Sequence, residues 1–272
     1  MTRRAGLLLL APALLLLLPV FLVPLVIIAE TSIRGAGSLD SGWTLAAYRQ
    51  ILSSRYFLTA LVRTFGLGLG IAALSTVLAT PLAWWLIRNP RWKLPVTALV
   101  AAPLLVNVVA RLEGWQLLLS DSGPVNAVLS ALLPGGQPVL FLGSTLGVAI
   151  ALLHIMLPYV VLALLAAMQA IDPTVLDAAD TLARPGRVFW TVALPLSLPG
   201  LASGFLLAFT LASASFVIPA VIGGGRFNTF PTLIYQDMLA LNTPRAAALA
   251  MCLLAALLPL AWAVRRTRNA AP

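Results

Sequence analysis

The stretch that decides the fold class is Asp172–Gly200, which reads DPTVLDAADTLARPGRVFWTVALPLSLPG. It holds three acids and two arginines, although the chain has no charged residue between Asp121 and Asp172 or between Arg187 and Arg226. Uncharged runs of that length are typical of membrane-spanning helices, which need about 20 apolar residues. The stretch is therefore a polar insert between two membrane segments, and we expect it to face a soluble partner.

The composition of the whole chain indicates a membrane protein. Of the 272 residues, 61% are hydrophobic and 9% are charged, whereas soluble domains carry about 25% charged residues. The net charge of +9 comes from short basic clusters between apolar runs, a pattern that membrane topology produces and that argues against a nucleic-acid partner. The predicted fold class is an all-α polytopic membrane protein embedded in the lipid bilayer.

Six apolar runs predict six transmembrane helices. These runs are 7–29, 58–87, 94–119, 143–171, 198–222 and 246–264. A short amphipathic helix is expected at 43–56, a short apolar helix at 124–133, and an outer loop at 223–244. Prolines at 12, 19 and 24 should kink the first helix, which a membrane helix tolerates.

Two pairs in the second run predict specific contacts. Gly66 and Gly70 have the spacing that permits a close approach of another helix. Trp84 and Trp85 lie at the end of the run, where an aromatic belt at the membrane surface is expected.

The distribution of basic residues predicts the orientation of the chain. Ten of the 17 lysines and arginines fall on one side of the predicted topology, and that side is expected to be cytoplasmic. They are Arg3, Arg4, Arg88, Arg91, Lys93, Arg184, Arg187, Arg265, Arg266 and Arg268. Both termini and the stretch 172–197 should therefore lie in the cytoplasm.

Scarce residue types exclude several kinds of chemistry. The chain has one cysteine, Cys252, and one histidine, His154, each within an apolar run, so neither an intrachain disulfide nor a Cys/His metal site is expected. Its one lysine, Lys93, does not belong to a glycine-rich phosphate loop. We expect no bound cofactor, and any ATP must be bound by a separate partner subunit.

Local signals predict two short helices within the opening stretch. Asp172-Pro173 is typical of an N-cap followed by proline at the first helical position, and Asp180 precedes Arg184 by the four residues that favour an ion pair. Pro185-Gly186 should end the first helix, and Leu194-Pro195 should end the second. The residues expected on the buried faces are Val175, Leu176, Ala179, Leu182, Ala183, Val188, Phe189 and Val192.

The stretch resembles the EAA loop of ABC importer permeases. The matching residues are Asp177-Ala178-Ala179, Leu182-Ala183, Leu194-Pro195-Leu196 and Pro199-Gly200. Further segments are similar to the polyamine-type branch of that family, namely Trp43-Thr44-Leu45 with Tyr48, 111–126, 154–158 and 223–235. The chain departs from the family pattern at Asp177, where the family has glutamate, and at Ala183, where it has glycine. The interval from Ala183 to Leu194-Pro195 is also one residue shorter than is usual.

The resemblance implies a type I importer permease, a transport subunit rather than an enzyme. It implies three regions: 1–57, an N-terminal transmembrane helix and periplasmic segment; 58–268, the permease core; and 172–197, a cytoplasmic coupling loop. The implied location of this chain is the bacterial inner membrane. The implied partners are two ABC ATPase subunits, a second permease (a homologue or a copy of this chain) and a periplasmic solute-binding protein. The implied ATPase-docking residues are Asp177, Ala178, Ala179, Leu182, Ala183, Arg184, Pro185, Gly186, Phe189, Leu194 and Pro195.

Polar residues within the predicted spans are candidates for the translocation path, because such groups commonly mark substrate routes. They are Asn107, Arg111, Glu113, Trp115, His154, Tyr159, Ser213 and Ser215. Each has a structural alternative. His154 can bond a neighbouring helix, the two serines can bond their own backbone, and Arg111 and Glu113 can anchor the third helix at the membrane surface.

The substrate and the mode of transport have alternatives at this point. The branch resemblance favours a polyamine such as spermidine or putrescine, while phosphonate, ferric iron or another small solute stays open. A membrane-embedded enzyme would need paired carboxylates or an activated nucleophile in the bilayer, and the sequence shows neither. An ion-coupled secondary transporter would usually show more helices and a buried ion-coupling acid.

Overall fold

The computed structural model describes residues 3–34, 42–132 and 137–269. The regular elements of these residues are helices: α1 Arg3–Ser32, α2 Ala46–Ser53, α3 Arg55–Arg88, α4 Pro90–Leu105, α5 Val108–Leu119, α6 Pro124–Leu132, α7 Thr145–Gln169, α8 Pro173–Leu182, α9 Pro185–Val188, a π turn Phe189–Ala193, α10 Leu194–Ala214, α11 Val217–Ile222, α12 Phe230–Leu239 and α13 Thr243–Asn269. The all-α prediction is confirmed for this part of the chain.

Among the described residues, four helices are long and apolar enough to cross a membrane. They are Leu14–Ser32, Arg55–Arg88, Thr145–Gln169 and Gly186–Ala214. A bent pair, Pro90–Leu105 with Val108–Leu132, adds a fifth span if it is counted as one. The predicted sixth span falls within the continuous helix α13, and the stretch Thr243–Pro259 of that helix is apolar. The count of six therefore stays a prediction.

The predicted third helix is wrong as a single straight element. It is broken between α4 and α5, and the bent pair turns by 98° at the break. Val106 is extended (ψ 136°), and the side-chain oxygen of Asn107 accepts a hydrogen bond from the Val109 N–H at 2.8 Å. The asparagine thereby caps a new helix, and a local side-chain bond of this kind competes with continuing the previous one.

The predicted fifth helix and outer loop also need correction. The fifth helix ends at Ala214, and after Ser215 in extended conformation (ψ 123°) the chain continues into the separate short helix α11. The region expected to be a loop contains α12. Thr229 precedes that helix, and the hydroxyl of Thr232, its third residue, accepts the Thr229 N–H at 2.8 Å, which is one half of a capping box.

The chain divides into two compact units, Met1–Thr59 with Leu233–Ala256, and Ala60–Thr232 with Leu257–Pro272. In the first unit, Arg245 donates to both carboxylate oxygens of Asp237, at 2.8 and 2.5 Å. The Arg245 guanidinium also lies 5.5 Å from the centre of the Phe57 ring. This ion pair ties α12 to α13 within the unit.

The core of the second unit is built around α7. Twelve of its 25 residues are buried, and α10 packs along it with Gly200 and Gly204 facing Ala163, Ala167 and Val160. The predicted approach at Gly66 and Gly70 does not occur in this chain, because no described atom lies within 4 Å of a Cβ built at either glycine. The close approach on α3 is instead at Gly68, which faces Ser213 of α10.

Candidate functional site

The candidate docking element is α8, and its first turn is held by a cap. The Asp172 carboxylate accepts hydrogen bonds from the Thr174 N–H at 2.9 Å and from the Thr174 hydroxyl at 2.8 Å. These bonds favour the ionised form and lower the pKa of Asp172 below its usual range. The predicted N-cap followed by Pro173 at the first helical position is confirmed.

The inner side of α8 packs against the start of the next helix. Leu176 is 8% exposed and forms a small core with Val188 and Ala193. Partly buried residues around this core are Trp84, Ile87, Ile171, Ala179, Ala183, Phe189 and Val192. The prediction of the buried face is thus confirmed for most of its members.

The outer side of α8 is more apolar than predicted. Val175 is 42% exposed and Leu182 is 87% exposed, although both were expected on the buried face. A ten-residue helix lying on one neighbour covers only a narrow stripe, so positions at the edges of the predicted face remain open. Asp177 and Ala178 are also exposed. The result is an accessible surface that combines one acid with large aliphatic side chains.

The backbone conformation at the corner after α8 is compatible with alanine at position 183. Ala183 is extended, with φ −149° and ψ 159°, which any L-residue adopts without strain. Glycine is required where φ is positive, and that condition is absent here. The departure from the family glycine therefore does not strain this backbone.

The prediction of a second short helix ended by Leu194-Pro195 is wrong. Instead α9 begins at Pro185 and passes through the π turn into α10, so that one span runs from Gly186 to Ala214. The Leu194 N–H bonds to the Phe189 carbonyl in the wider π pattern. A π turn changes the carbonyl positions just ahead of Pro195, where an ordinary α-helix would meet a clash with the proline ring.

The expected ion pair between Asp180 and Arg184 is replaced by one with α3. Arg88 donates to both oxygens of Asp180, at 2.5 and 2.6 Å. The side chains are 27% and 31% exposed, and the hydrogen bond from Arg88 lowers the pKa of Asp180. Arg88 also lies 4.8 Å from the Trp84 ring, and Trp84 lies 5.5 Å from the Phe189 ring. Trp84 therefore packs against the π turn, and its place in an aromatic belt stays a prediction.

A cavity of about 280 Å³ with mixed polar and apolar walls lies beside α8. Its walls come from the ends of α3 and α7 and from the first turns of α8. The lining residues are Ile87, Arg88, Met168, Gln169, Ile171, Pro173, Leu176 and Asp177.

Four of the predicted path residues stabilise the helix break or hold α5 against α7. Asn107 caps α5, and Arg111 donates to the Pro103 carbonyl at the end of α4. One turn further along α5, the Trp115 indole N–H donates to His154 Nδ1 at 3.1 Å. Arg111 and Asn107 thus satisfy backbone groups that the break leaves open.

The remaining path candidates are dispersed. Glu113 is exposed, and Tyr159 is partly buried against the main core. Ser213 is 1% exposed and its hydroxyl has no hydrogen-bond partner in the described structure, so the expected bond to its own backbone is absent. Ser215 stands at the end of α10. The structure therefore brings only Asn107, Arg111, Trp115 and His154 into one neighbourhood.

The sequence interpretation missed Arg88 and the role of Trp84. They stand four residues apart at the end of α3, a spacing that places both side chains on one helix face. That spacing was a usable signal for a shared contact surface. The identity of the contact, Asp180, lies 92 residues away along the chain, where helical spacing carries no information.

The helical architecture and the capped insert between two spans define a class: a polytopic helical membrane protein with a structured polar loop. A crystal structure of a bacterial ABC transporter involved in the import of the acidic polysaccharide alginate matches with a TM-score of 0.81 at 18% identity, over 99% of this chain and 97% of that one. Residues 74–268 match the family described as binding-protein-dependent transport system inner membrane component. The chain belongs to this family.

Curated relatives agree with that assignment. The chain is 31% identical over 223 residues to the inner membrane ABC transporter permease protein YdcU of Escherichia coli K12, covering 75% of this chain and 70% of that protein. It is 31% identical over 216 residues to the spermidine/putrescine transport system permease protein PotB of Salmonella typhimurium LT2, covering 78% and 75%. It is 33% identical over 245 residues to the putative 2-aminoethylphosphonate transport system permease protein PhnU of the same strain, covering 84% and 82%.

The family assignment answers several of the questions that the sequence left open. The chain is a multi-pass inner-membrane transport permease and not an enzyme. Membership of this family also excludes the alternative of an ion-coupled secondary transporter, because the family consists of components of binding-protein-dependent transport systems.

Proposed function

We propose that this chain forms half of the transmembrane pathway of an ATP-driven importer, and that α8 is the element that docks onto an ATPase subunit. The observation that carries this proposal is the two-sided character of α8. Its inner side is fixed by Leu176 and by the Arg88–Asp180 pair, while Asp177, Ala178 and Leu182 stay exposed. A helix that is anchored on one side and has an open mixed apolar and acidic surface on the other suits a protein partner.

The docking surface extends beyond α8 to the start of the following helix. Trp190 is 67% exposed in the π turn, and Arg184, Gly186 and Arg187 are exposed at the corner. Exposed tryptophan and arginine are enriched among residues that dominate protein interfaces. In the proposed orientation both termini and this surface lie in the cytoplasm, where two ATPase subunits bind to a pair of permeases.

The second permease is either a homologue or another copy of this chain. A groove of about 440 Å³ on the second unit supports an approach by another helix. Gly66 and Gly70 lie in it with no described atom near their Cβ positions. Because glycines at this spacing let helix backbones come close in membranes, we expect the partner permease to contact this face of α3.

For the substrate we propose a polyamine, spermidine or putrescine, delivered by a periplasmic binding protein. Similarity to a spermidine/putrescine permease over 78% of this chain supports this proposal. The second candidate is 2-aminoethylphosphonate, supported by the longer match to PhnU over 84% of the chain. Both candidates carry a primary amine, so the shared chemistry is a small aminoalkyl solute.

The contacts of the predicted path residues divide them into two groups, those that shape the path and those that could contact the solute. Asn107 and Arg111 stabilise the α4–α5 break, so we propose that they shape the path rather than contact the solute. The Trp115–His154 pair and Tyr159 are the candidates that we retain for solute contact, with Ser213 beside the α3–α10 crossing.

The docking proposal is tested by charge reversal at Asp177. The chain is reconstituted in proteoliposomes with the ATPase, second permease and binding protein that we expect its neighbouring genes to encode. Asp177→Lys should abolish ATP-driven uptake while membrane insertion persists, and a bulky change at Ala183 should act in the same way. The matched control is Asp121→Lys, which reverses an exposed acid on the opposite predicted side. Uptake by Asp177→Lys at the wild-type rate would refute the docking assignment.

The substrate proposal is tested by uptake in the reconstituted system, which contains the binding protein. Radiolabelled putrescine, spermidine and 2-aminoethylphosphonate are offered separately to the reconstituted system. ATP-dependent accumulation of a polyamine supports the first candidate, accumulation of 2-aminoethylphosphonate supports the second, and accumulation of neither rejects the aminoalkyl class.

A further inference from the structure

We infer that Arg88 is a positioning residue that ties α8 to the membrane helix α3, so that a displacement of α8 by the ATPase also moves α3. This inference rests on the proposed docking role of α8. It goes beyond that role by naming a second route, through α3, for motion that would otherwise pass only along the chain into α7 and α10.

The two ends of α8 are joints rather than continuous helix. Its N-cap Asp172 has ψ 125°, and its C-cap Ala183 is extended with ψ 159°. Non-helical residues at both ends can act as hinges of a short helix, because rotation about their dihedral angles keeps the backbone hydrogen bonds within the helix and changes only the Asp172 cap. The lateral contacts of α8 therefore decide which other elements follow when it moves.

The strongest polar lateral contact is the bidentate pair between Arg88 and Asp180. Its two bonds of 2.5 and 2.6 Å use the planar fork of the guanidinium, which fixes orientation as well as distance. Arg88 is the last residue of the 34-residue helix α3. The pair consequently links α8 to one end of a helix long enough to cross the membrane.

A second contact from the same face of α3 reaches the π turn that leads into α10. Trp84, one turn before Arg88, lies against Phe189 in the π turn that leads into α10. Trp84 and Ile87 also pack against the small core that Leu176 of α8 forms with Val188 and Ala193. The end of α3 is thus held between α8 and the π turn, and Arg88 supplies the charged part of that clamp.

The pair is ionised under physiological conditions. Because the hydrogen bond from Arg88 lowers the pKa of Asp180, the contribution of the pair is present above the ordinary carboxyl pKa of about 3.9 and is lost only as the pH falls through the lowered value. The effect of removing Arg88 should accordingly be constant between about pH 6 and pH 8. A dependence of that effect on pH in this range would contradict the assignment.

The alternative role for Arg88 is that of a basic residue that only sets membrane orientation. Arg91 offers the matched control, because it is an exposed arginine three residues further along the chain. Under the orientation role, Arg88→Gln and Arg91→Gln should behave alike. Under the positioning role only Arg88→Gln should lower transport.

The test uses the complete reconstituted importer and four substitutions. Arg88→Gln and Asp180→Asn should each lower binding-protein-stimulated ATP hydrolysis and uptake by about two- to fivefold, the effect of losing a partly exposed ion pair. Co-purification with the ATPase should persist. The double variant should be no worse than either single one, because both remove the same interaction. The exchange R88D together with D180R should recover at least half of the lost uptake.

A distance measurement separates positioning from stability. Spin labels are placed at Thr181 of α8 and Trp85 of α3, both exposed, after replacement of Cys252 by serine. Pulsed electron paramagnetic resonance should give the same label separation with and without ATP in the otherwise unchanged protein. In the Arg88→Gln background the separation should change or broaden when ATP binds.

The outcomes distinguish this inference from the proposed function. If the unsubstituted importer shows no ATP-driven uptake, the proposed function fails. If it transports, and Asp177→Lys abolishes uptake while Arg88→Gln leaves it at the wild-type rate, only the role of Arg88 is refuted. Failure of the charge exchange to restore uptake in a protein that still inserts and co-purifies with the ATPase would also refute it.

Discussion

Two glycine pairs with identical spacing have opposite surroundings in this protein. Gly66 and Gly70 on α3 have no described neighbour within 4 Å of their Cβ positions, whereas a Cβ on Gly200 of α10 would overlap the Cβ of Ala167. A Cβ on Gly204 would lie 3.4 Å from Ala163. The four-residue spacing therefore permits a close helix approach without determining where it occurs.

The partner helix accounts for the difference. Facing α10, α7 carries Ala163 and Ala167, small residues at the same four-residue spacing as the glycines that meet them. Small side chains on both helices let the backbones approach. For Gly66 and Gly70 the described chain supplies no such counterpart, which is why we assign that face to another subunit.

The largest expected effect is at the tightest contact, Gly200. Gly200→Ala should destabilise the purified chain by about 1–3 kcal/mol, because a methyl group must fit where the Ala167 side chain already lies. Thermal unfolding in detergent, followed by circular dichroism, measures this loss. Ala167→Gly in the same chain should restore most of it, and absence of that recovery would show that the two residues do not meet.

A smaller effect is expected at Gly68, whose Cβ would meet the hydroxyl of Ser213. A hydroxyl is the end of a rotatable side chain, so Gly68→Ala should cost about 1 kcal/mol or less beyond its gain in helix propensity. The Ser213 hydroxyl is buried and has no hydrogen-bond partner among the described residues. Ser213→Ala should therefore stabilise the chain and remove the penalty of Gly68→Ala. A destabilising Ser213→Ala, measured in the same unfolding assay, would indicate that the hydroxyl has a bound partner.

The same contrast shows what was predictable from sequence in this protein. Local sequence signals were sufficient where one or two residues adjacent in sequence decide where a helix begins, as at the Asp172-Pro173 start of α8. They failed where two local options compete, since Asp180 could pair with Arg184 but pairs with Arg88 from another helix. Hydropathy likewise missed the break at Asn107, because an apolar run continues on both sides of it and only the capping bond reveals the bend.

Some of the missed features did carry a readable signal. Thr229-Phe230-Pro231-Thr232 contains a capping threonine, a proline in the first turn and a second threonine that bonds back, which together predict the start of α12. The continuity of α9 with α10 had no such signal. Leu194-Pro195 usually indicates a helix boundary, and the π turn that accommodates it is specified by packing of Phe189 and Val188 on α3 and α8.

A near-neutral result is expected at Gly204. Its Cβ would lie 3.4 Å from Ala163 and from Val160, which is ordinary van der Waals contact. Gly204→Ala should therefore change the free energy of unfolding by no more than about 0.5 kcal/mol, in the assay used for Gly200. A loss as large as that of Gly200→Ala would mean that α7 and α10 are packed more closely than the structure shows.

No loss of stability is expected at Gly66 and Gly70, and the comparison between the two glycine pairs is sharpest there. Gly66→Ala and Gly70→Ala meet no described atom, so each should leave the unfolding free energy of the isolated chain unchanged or raise it by up to about 1 kcal/mol through helix propensity.

The larger change Gly66→Leu should also be tolerated by the isolated chain, but it should lower assembly with the second permease and hence uptake, since a large side chain keeps two backbones apart. The matched control is Leu69→Ala, which alters an exposed residue of the same helix that does not line the groove. Normal assembly and uptake by Gly66→Leu would show that this face of α3 contacts lipid, and would leave the packed and the open glycine pairs with no common role.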